Sequence, residues 1–157
     1  MTFITQVKDR LENGIVSWLQ ASLGGTPEFT SNDDTPYNFF GGRRSGAYTL
    51  PCTVASCNEA TEEIAPGSGI FRARVKIVTM TGIDETNPSS DNAEDLHATR
   101  TDLIANYTRD ISTMKSQVGE RGSLNIFGIV PLGEASDIQG RMFVDTLDFD
   151  IFCQSIA

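Results

Sequence analysis

The chain has 157 residues, with 12 Lys and Arg against 21 Asp and Glu, so its formal net charge is −9. This length suits one compact domain covering residues 1–157 and is too short for two ordinary ones. The negative charge repels phosphate groups and anionic lipids, so we expect neither stable nucleic-acid binding nor membrane binding.

The start of the chain predicts a helix rather than a targeting segment. Met1 to Lys8 lacks a charged head followed by an apolar stretch, and no run of about 18 apolar residues occurs. A helix is predicted over residues 2–22, because apolar residues recur at steps of three and four on one face. Gly24 and Gly25 predict its end. Gly14 costs ~1 kcal/mol relative to Ala inside a helix, so the helix is expected to depend on tertiary packing.

The segment 24–46 shows no periodicity and is rich in turn-forming residues. A loop of this length in a small domain is typically functional or disordered, so we interpret it as an extended interaction arm. Phe39 and Phe40 are its expected exposed contact residues. Arg43 and Arg44 lie in a glycine-rich run that lacks the spacing of phosphate-binding loops, which favours a flexible connector over a phosphate site.

Two alternating stretches follow, over residues 48–55 and 71–77, and they predict a β-hairpin. Pro51 lies in the first stretch and moves that strand towards an edge of the sheet. A second helix is then predicted to about residue 118, with Asp91 and Glu94 spaced nearly as in a capping box. Gly119 is expected to end it.

Two further strands are predicted, from Leu124 to Val130 and from about Ile138 to Gln154. The alternation in the last strand slips near Asp145 and Thr146, which indicates either a bulge or a strand that changes its environment. The predicted order is α-β-β-α-β-β. This order predicts the α+β class, with a four-stranded antiparallel sheet, two helices packed on one face and the long loop at about 24–46.

Two rows of charge lie on the predicted strands. Because successive side chains of a strand point to opposite faces, Arg72, Arg74 and Lys76 lie on one face of a strand. Asp148 and Asp150 form an acidic row on the last strand. If the two strands are neighbours, cross-strand pairs offset the charge and the rows have a structural meaning. If they are not neighbours, the basic row requires another partner.

Residues that could support catalysis are few. His97 is the single histidine, and no Ser or Cys lies in a nucleophile motif. Glu94 and His97 have the spacing of half a di-iron site, but the second half is missing. Cys52, Cys57 and Cys153 fit neither a disulfide framework nor a zinc site. We therefore expect no enzymatic activity, no cofactor and no metal.

The order of elements resembles the tail terminator and neighbouring head-to-tail joining proteins of long-tailed bacteriophages. The resemblance covers most of the chain outside 24–46 and lies in these stretches: Leu50 to Val54, Phe71 to Ile77, Leu124 to Ile129, Ile138 to Phe143 and Leu147 to Ile151.

This resemblance implies a structural virion protein, made in the host bacterial cytoplasm and located at the tail end or neck. It implies a homo-oligomeric ring, expected to be sixfold, that ends the tail tube and contacts tail-tube and neck or connector proteins. DNA would pass through the lumen without stable binding. The residues expected at the subunit interface are Phe39, Phe40, Arg43, Arg44, Arg72, Arg74, Lys76, Asp148 and Asp150.

Two other interpretations stay open from the sequence. One is a small cytosolic α+β enzyme or ligand-binding domain, which would need a pocket around His97 or around Arg43 and Arg44. The other is a head-completion or tail-tube protein of the same particle, which would share the composition and differ mainly in ring geometry.

Overall fold

A computed structural model describes residues 4–30, 37–42, 49–64, 67–85, 87 and 92–155. Within these ranges, eight main helices and strands follow one another along the chain. They are α1 (Ile4–Leu23), β1 (Asn38–Gly41), β2 (Cys52–Glu62), β3 (Ile70–Gly82), α2 (Ala93–Arg109), α3 (Ile111–Gly122), β4 (Leu124–Gln139) and β5 (Met142–Ser155).

The strands form one mixed sheet in the order β1-β2-β3-β5-β4. β1 pairs parallel to β2, and the other neighbours pair antiparallel. The α+β class and the β2–β3 hairpin are confirmed. The prediction of four antiparallel strands and two helices was wrong in detail, because the structure has a fifth strand, a parallel pair and a third helix.

The fifth strand comes from the segment predicted to be a long loop. Its backbone is fixed at both ends, since the Asn38 N–H donates to the Pro51 carbonyl (3.2 Å) and the Gly42 N–H donates to the Ala55 carbonyl (2.8 Å). Pro51 lies just before β2, so it removes no donor from that strand. Because β1 pairs with β2, β2 is an interior strand and not the edge strand that Pro51 predicted. The edges of the sheet are β1 and β4.

The long second helix is divided at Asp110. Its backbone leaves the helical region (φ −80°, ψ 81°), and its carboxylate accepts hydrogen bonds from the Thr113 N–H (3.2 Å) and hydroxyl (2.7 Å). These bonds satisfy orphan donors at the start of α3, as an N-cap does. α3 continues past the predicted stop at Gly119 and ends at Gly122, followed by Ser123 in the left-handed conformation (φ 55°). The N-cap of α2 is Asn92, and Asp91 lies outside the described residues.

The bulges lie on β4 and not on β5. β4 shifts register against β5 between Ile126 and Gly128 and between Pro131 and Gly133, whereas β5 pairs with β3 in unbroken register. The predicted slip in β5 is a change of environment. Val144 belongs to a small cluster on the face opposite the helices, and Phe149 belongs to the main core on the helix face.

The main core lies between the helices and one face of the sheet. Every second residue of β3 from Phe71 to Ile77 is buried there, with side chains from α1, α2 and α3. Arg72, Arg74 and Lys76 alternate with these residues and therefore lie on the opposite face. Near the other end of this opposite face, four residues form the small cluster: Cys52, Val54, Met80 and Val144.

Candidate interaction surfaces

The two charged rows lie on neighbouring strands. In the β3–β5 register, Arg74 faces Asp150 and Lys76 faces Asp148. Arg74 Nε donates to Asp150 Oδ1 at 2.9 Å, and Lys76 Nζ lies 3.9 Å from Asp148 Oδ1. Arg72 instead pairs with Glu63 at 3.2 Å. Of the two alternatives left open by the sequence, the pairing within one chain is the one observed.

These charged pairs, formed by Arg72, Arg74 and Lys76 with their acidic partners and called here the charged ladder, are still accessible to solvent. The side chains of Arg72, Arg74 and Lys76 are 49%, 47% and 44% exposed. The hydrogen bond and negative charge of Asp150 raise the pKa of Arg74 above its ordinary value. Because exposed ion pairs contribute little to folding, the ladder can be contacted by another molecule without loss of the fold.

The two aromatic residues predicted to be exposed are half-buried in their own chain. Phe39 stacks on Phe29 with ring centroids 5.8 Å apart and lies 5.2 Å from the ring of Tyr37. Phe40, on the other side of the strand, packs against the small cluster. β1 therefore uses these rings to cover the sheet. Arg43 and Arg44 lie outside the described residues.

Exposed apolar residues concentrate on the edge strand β4. Phe127, Val130, Leu132 and Ile138 are between 45% and 61% exposed. Pro131 has no N–H, and the two bulges interrupt the regular ladder, so β4 is a poor template for a further continuous strand. A partner at this edge would contact the apolar side chains rather than extend the sheet.

A groove runs between α2 and the strands β4 and β5. It consists of two adjoining hollows of about 150 and 140 Å³. The first is lined by polar side chains that include Asp102 and Asp145. The second is more apolar and is lined by Ala105, Pro131, Leu147 and Phe149. Arg109 and Glu134 line both hollows.

The turn between β2 and β3 presents an isoleucine to solvent. Ile64 is 86% exposed and has a positive φ of 71°. The turn is held by Glu62, whose carboxylate accepts from the N–H groups of Gly67 (2.7 Å) and Gly69 (2.9 Å). These two hydrogen bonds lower the pKa of Glu62. The sequence analysis missed Ile64, although an apolar residue beside a Pro-Gly turn is a detectable signal.

His97 is buried, which differs from its interpretation as a residue at the boundary of the apolar stripe. Its Nδ1 lies 2.9 Å from Thr81 Oγ1, and its Nε2 lies 2.8 Å from Asp145 Oδ1. The ring also stacks on Phe143, and Ser136 donates to the other oxygen of Asp145. Both ring nitrogens of His97 therefore have hydrogen-bond partners, and Ser136 contacts the Asp145 carboxylate rather than the imidazole.

Arg100 extends this polar network into the interior. It is fully buried, donates to the Glu28 carbonyl (2.6 Å) and to Thr81 Oγ1 (3.1 Å), and pairs with Glu85 at 2.5 Å. Its guanidinium also lies 4.8 Å from the ring centroid of Tyr37. The sequence analysis missed Arg100, although it follows Leu96 by four residues and so falls on the buried face of α2.

Neither metal-binding clusters nor membrane-spanning helices are found in the described part of the chain. No group of three His, Cys, Asp or Glu side chains there could hold a metal ion. No described helix has both the length and the hydropathy to cross a membrane. Cys52, Cys57 and Cys153 are free and buried.

No protein-family model matches the chain, and no curated protein matches it.

Proposed function

We propose that the chain is a structural virion protein that forms a ring at the tail end or neck of a tailed phage. In this role it ends the tail tube and joins it to the head. Its partners are further copies of itself, the tail-tube protein and neck or connector proteins. The expected ring is sixfold.

The apolar edge of β4 is the observation that carries this proposal. Four large apolar side chains are about half exposed along one strand of a chain whose net charge is −9. Exposed apolar residues gathered on one element, rather than scattered singly, are typical of protein–protein contact surfaces. The charged ladder on the open face of the sheet gives a second surface, on which Arg74 and Lys76 are half exposed.

The state of the polar side chains favours a structural role over an enzymatic one. His97, which any triad chemistry would have to use, has both ring nitrogens committed to Thr81 and Asp145. A catalytic histidine also contacts a carboxylate and a hydroxyl, but that hydroxyl must be open to a substrate. Thr81 is fully buried, and its hydroxyl also accepts a hydrogen bond from Arg100. We therefore propose that the chain is not an enzyme and uses no cofactor.

The net charge is also suited to a ring through which DNA passes. DNA binds proteins largely because Lys and Arg release the counterions that surround its phosphates. A chain with 21 acidic and 12 basic residues gains little from this release. A lumen lined by such subunits would let DNA slide through without holding it.

Native mass spectrometry and negative-stain imaging of the purified protein test the ring. We expect closed rings with a mass six times that of the 17.1 kDa chain. Phe127→Ser and Leu132→Ser together should weaken assembly with little change in the melting temperature, because both side chains are already half exposed. A protein that stays monomeric at every concentration would contradict the proposal.

Particles lacking the protein distinguish the roles within the virion. Loss of a terminator should leave filled heads separate from tails, with tails of irregular and excessive length. Loss of a head-completion protein should leave heads that do not retain DNA beside tails of normal length. Loss of a tube protein should leave no tails.

A further inference from the structure

We infer that Ile64, which lies just after the end of β2, inserts into the groove between α2 and β4 of a second copy of this chain. This inference deepens the proposed function, on which it rests, by naming one contact of the ring. Two features of the molecule, on different parts of its surface, fit each other.

The first feature is the conformation of Ile64. A β-branched residue with positive φ is a steric outlier, because its Cβ substituents crowd the backbone in the left-handed region. Such outliers persist when the surrounding structure enforces them, and they concentrate at functional positions. Here the turn is braced by Glu62, and Ser68 donates to the Glu63 carbonyl at 2.7 Å. These hydrogen bonds hold the turn while the apolar side chain of Ile64 is 86% exposed to solvent.

The second feature is the size and lining of the groove. Its apolar hollow has a volume of about 140 Å³ and is lined by Ala105, Pro131, Leu147 and Phe149. A cavity of ~150 Å³ in another protein accommodates a benzene molecule, so one branched aliphatic side chain fits this space. The hollow is open on the surface and therefore accessible to a neighbour.

The charges around the two features also match. Arg109 and Glu134 line the groove, and neither forms an ion pair with a described residue. Glu63, next to Ile64, and Arg72, near the start of β3, supply one group of each opposite sign and pair with one another at 3.2 Å. Docking would allow Glu63 to meet Arg109 and Arg72 to meet Glu134.

The turn cannot reach the groove of its own chain. It lies at the end of the sheet where Ile70 pairs with Gln154, whereas the hollow lies beside Leu147 and Phe149 of the same strand β5. Five to seven residues of strand separate them, which is about 17–23 Å at ~3.3 Å per residue. The contact is therefore between different surfaces of two copies, and such head-to-tail contacts close into rings when the rotation permits.

Matched serine variants test the energetic part of this inference. Ile64→Ser removes the apolar side chain from the turn. Ile83→Ser is the control, because Ile83 is also an exposed isoleucine in a turn but lies at the other end of β3. We expect Ile64→Ser to raise the dissociation constant of the assembly on the order of 10- to 100-fold, and Ile83→Ser to leave it unchanged. Thermal unfolding should show that both variants are folded.

Disulfide trapping tests the geometry. A chain carrying Ile64→Cys is mixed with a chain carrying Ala105→Cys and oxidised, and we expect a cross-linked pair that contains one of each. The native thiols give little background, because burial raises the pKa of Cys52 and Cys153 to about 12 and that of Cys57 to about 11. A cross-link between two Ile64→Cys chains would instead indicate a symmetric contact and overturn the inference.

The outcomes separate this inference from the proposed function. If Ile64→Ser forms rings as well as the unaltered chain does, the contact is wrong and the ring proposal stands. If the unaltered chain does not assemble, and the Ile64→Cys and Ala105→Cys chains give no mixed cross-link, both are wrong. Loss of rings in Ile64→Ser together with the mixed cross-link supports both.

Discussion

Gly14 of α1 lies directly against the carbonyl oxygen of Val118 on α3. A Cβ at residue 14 would be 2.7 Å from that oxygen and 3.2 Å from the nitrogen of Gly122. Both neighbours are backbone atoms, which cannot rotate away as the end of a side chain can. The two helices therefore approach as closely as they do because residue 14 has no side chain.

Gly14→Ala tests this contact. Ala is better than Gly inside a helix by ~1 kcal/mol, so propensity alone predicts a more stable protein. We expect the opposite, a net decrease in the free energy of unfolding of about 1–3 kcal/mol, because the methyl group overlaps backbone. Urea denaturation measures it. Gly25→Ala is the control, since no atom lies within 4 Å of a Cβ there and its stability should not fall.

His97→Ala should destabilise the protein without abolishing its assembly. The change leaves the buried Thr81 hydroxyl and the Asp145 carboxylate each without one partner. We expect the free energy of unfolding to decrease by about 1–3 kcal/mol. Thr99→Ala, two residues further along α2 at a less buried position, should change it by less than ~0.5 kcal/mol. A His97→Ala protein that is folded but cannot assemble would show that the residue has a role beyond the fold.

Arg74→Glu should lower the melting temperature slightly, because the new carboxylate faces Asp150 on β5 and Glu59 on β2. Reversing the pair, with Arg74→Glu and Asp150→Arg together, should restore it. Differential scanning calorimetry of the two single variants and the double variant measures the effect. A normal melting temperature with failed assembly would instead indicate that the charged ladder acts between subunits. Assembly of a folded variant with Arg72, Arg74 and Lys76 all changed to Glu would exclude the ladder from the interface.

Glu12→Gln should stabilise the protein at neutral pH. The Glu12 carboxylate is buried and accepts from the Cys57 N–H at 2.7 Å. Burial is the largest effect on its pKa, which is raised above 4.5. A carboxyl group with a raised pKa favours the folded state when protonated, and this contribution is lost as the pH rises through the folded pKa. The advantage of Glu12→Gln should therefore be greatest near pH 7 and disappear below about pH 4.5 in denaturation measured at both pH values. An advantage that does not change with pH would contradict this explanation.

Local periodicity in the sequence was enough to predict the main helices and strands. The three- and four-residue steps from Val7 to Leu19 bury one face of α1, and the alternation from Phe71 to Ile77 buries one face of β3. The two rows of charge were also predictable, because a period of two places them on one face whatever lies beside them. These features depend only on neighbours along the chain, so they can be inferred from its order of residues.

Which segments meet across the fold was decided by tertiary structure. β1 has four residues and no periodicity, and it forms because β2 offers it an unpaired edge. The pairing of Arg74 with Asp150 joins residues 76 positions apart, and it follows from the register of β3 against β5. The conformation of Ile64 likewise depends on bonds from Glu62 to the far side of the turn. The sequence therefore determined most of the elements and their buried faces, whereas tertiary contacts determined β1 and the pairing partners, because pairing energies between distant residues have no local signature.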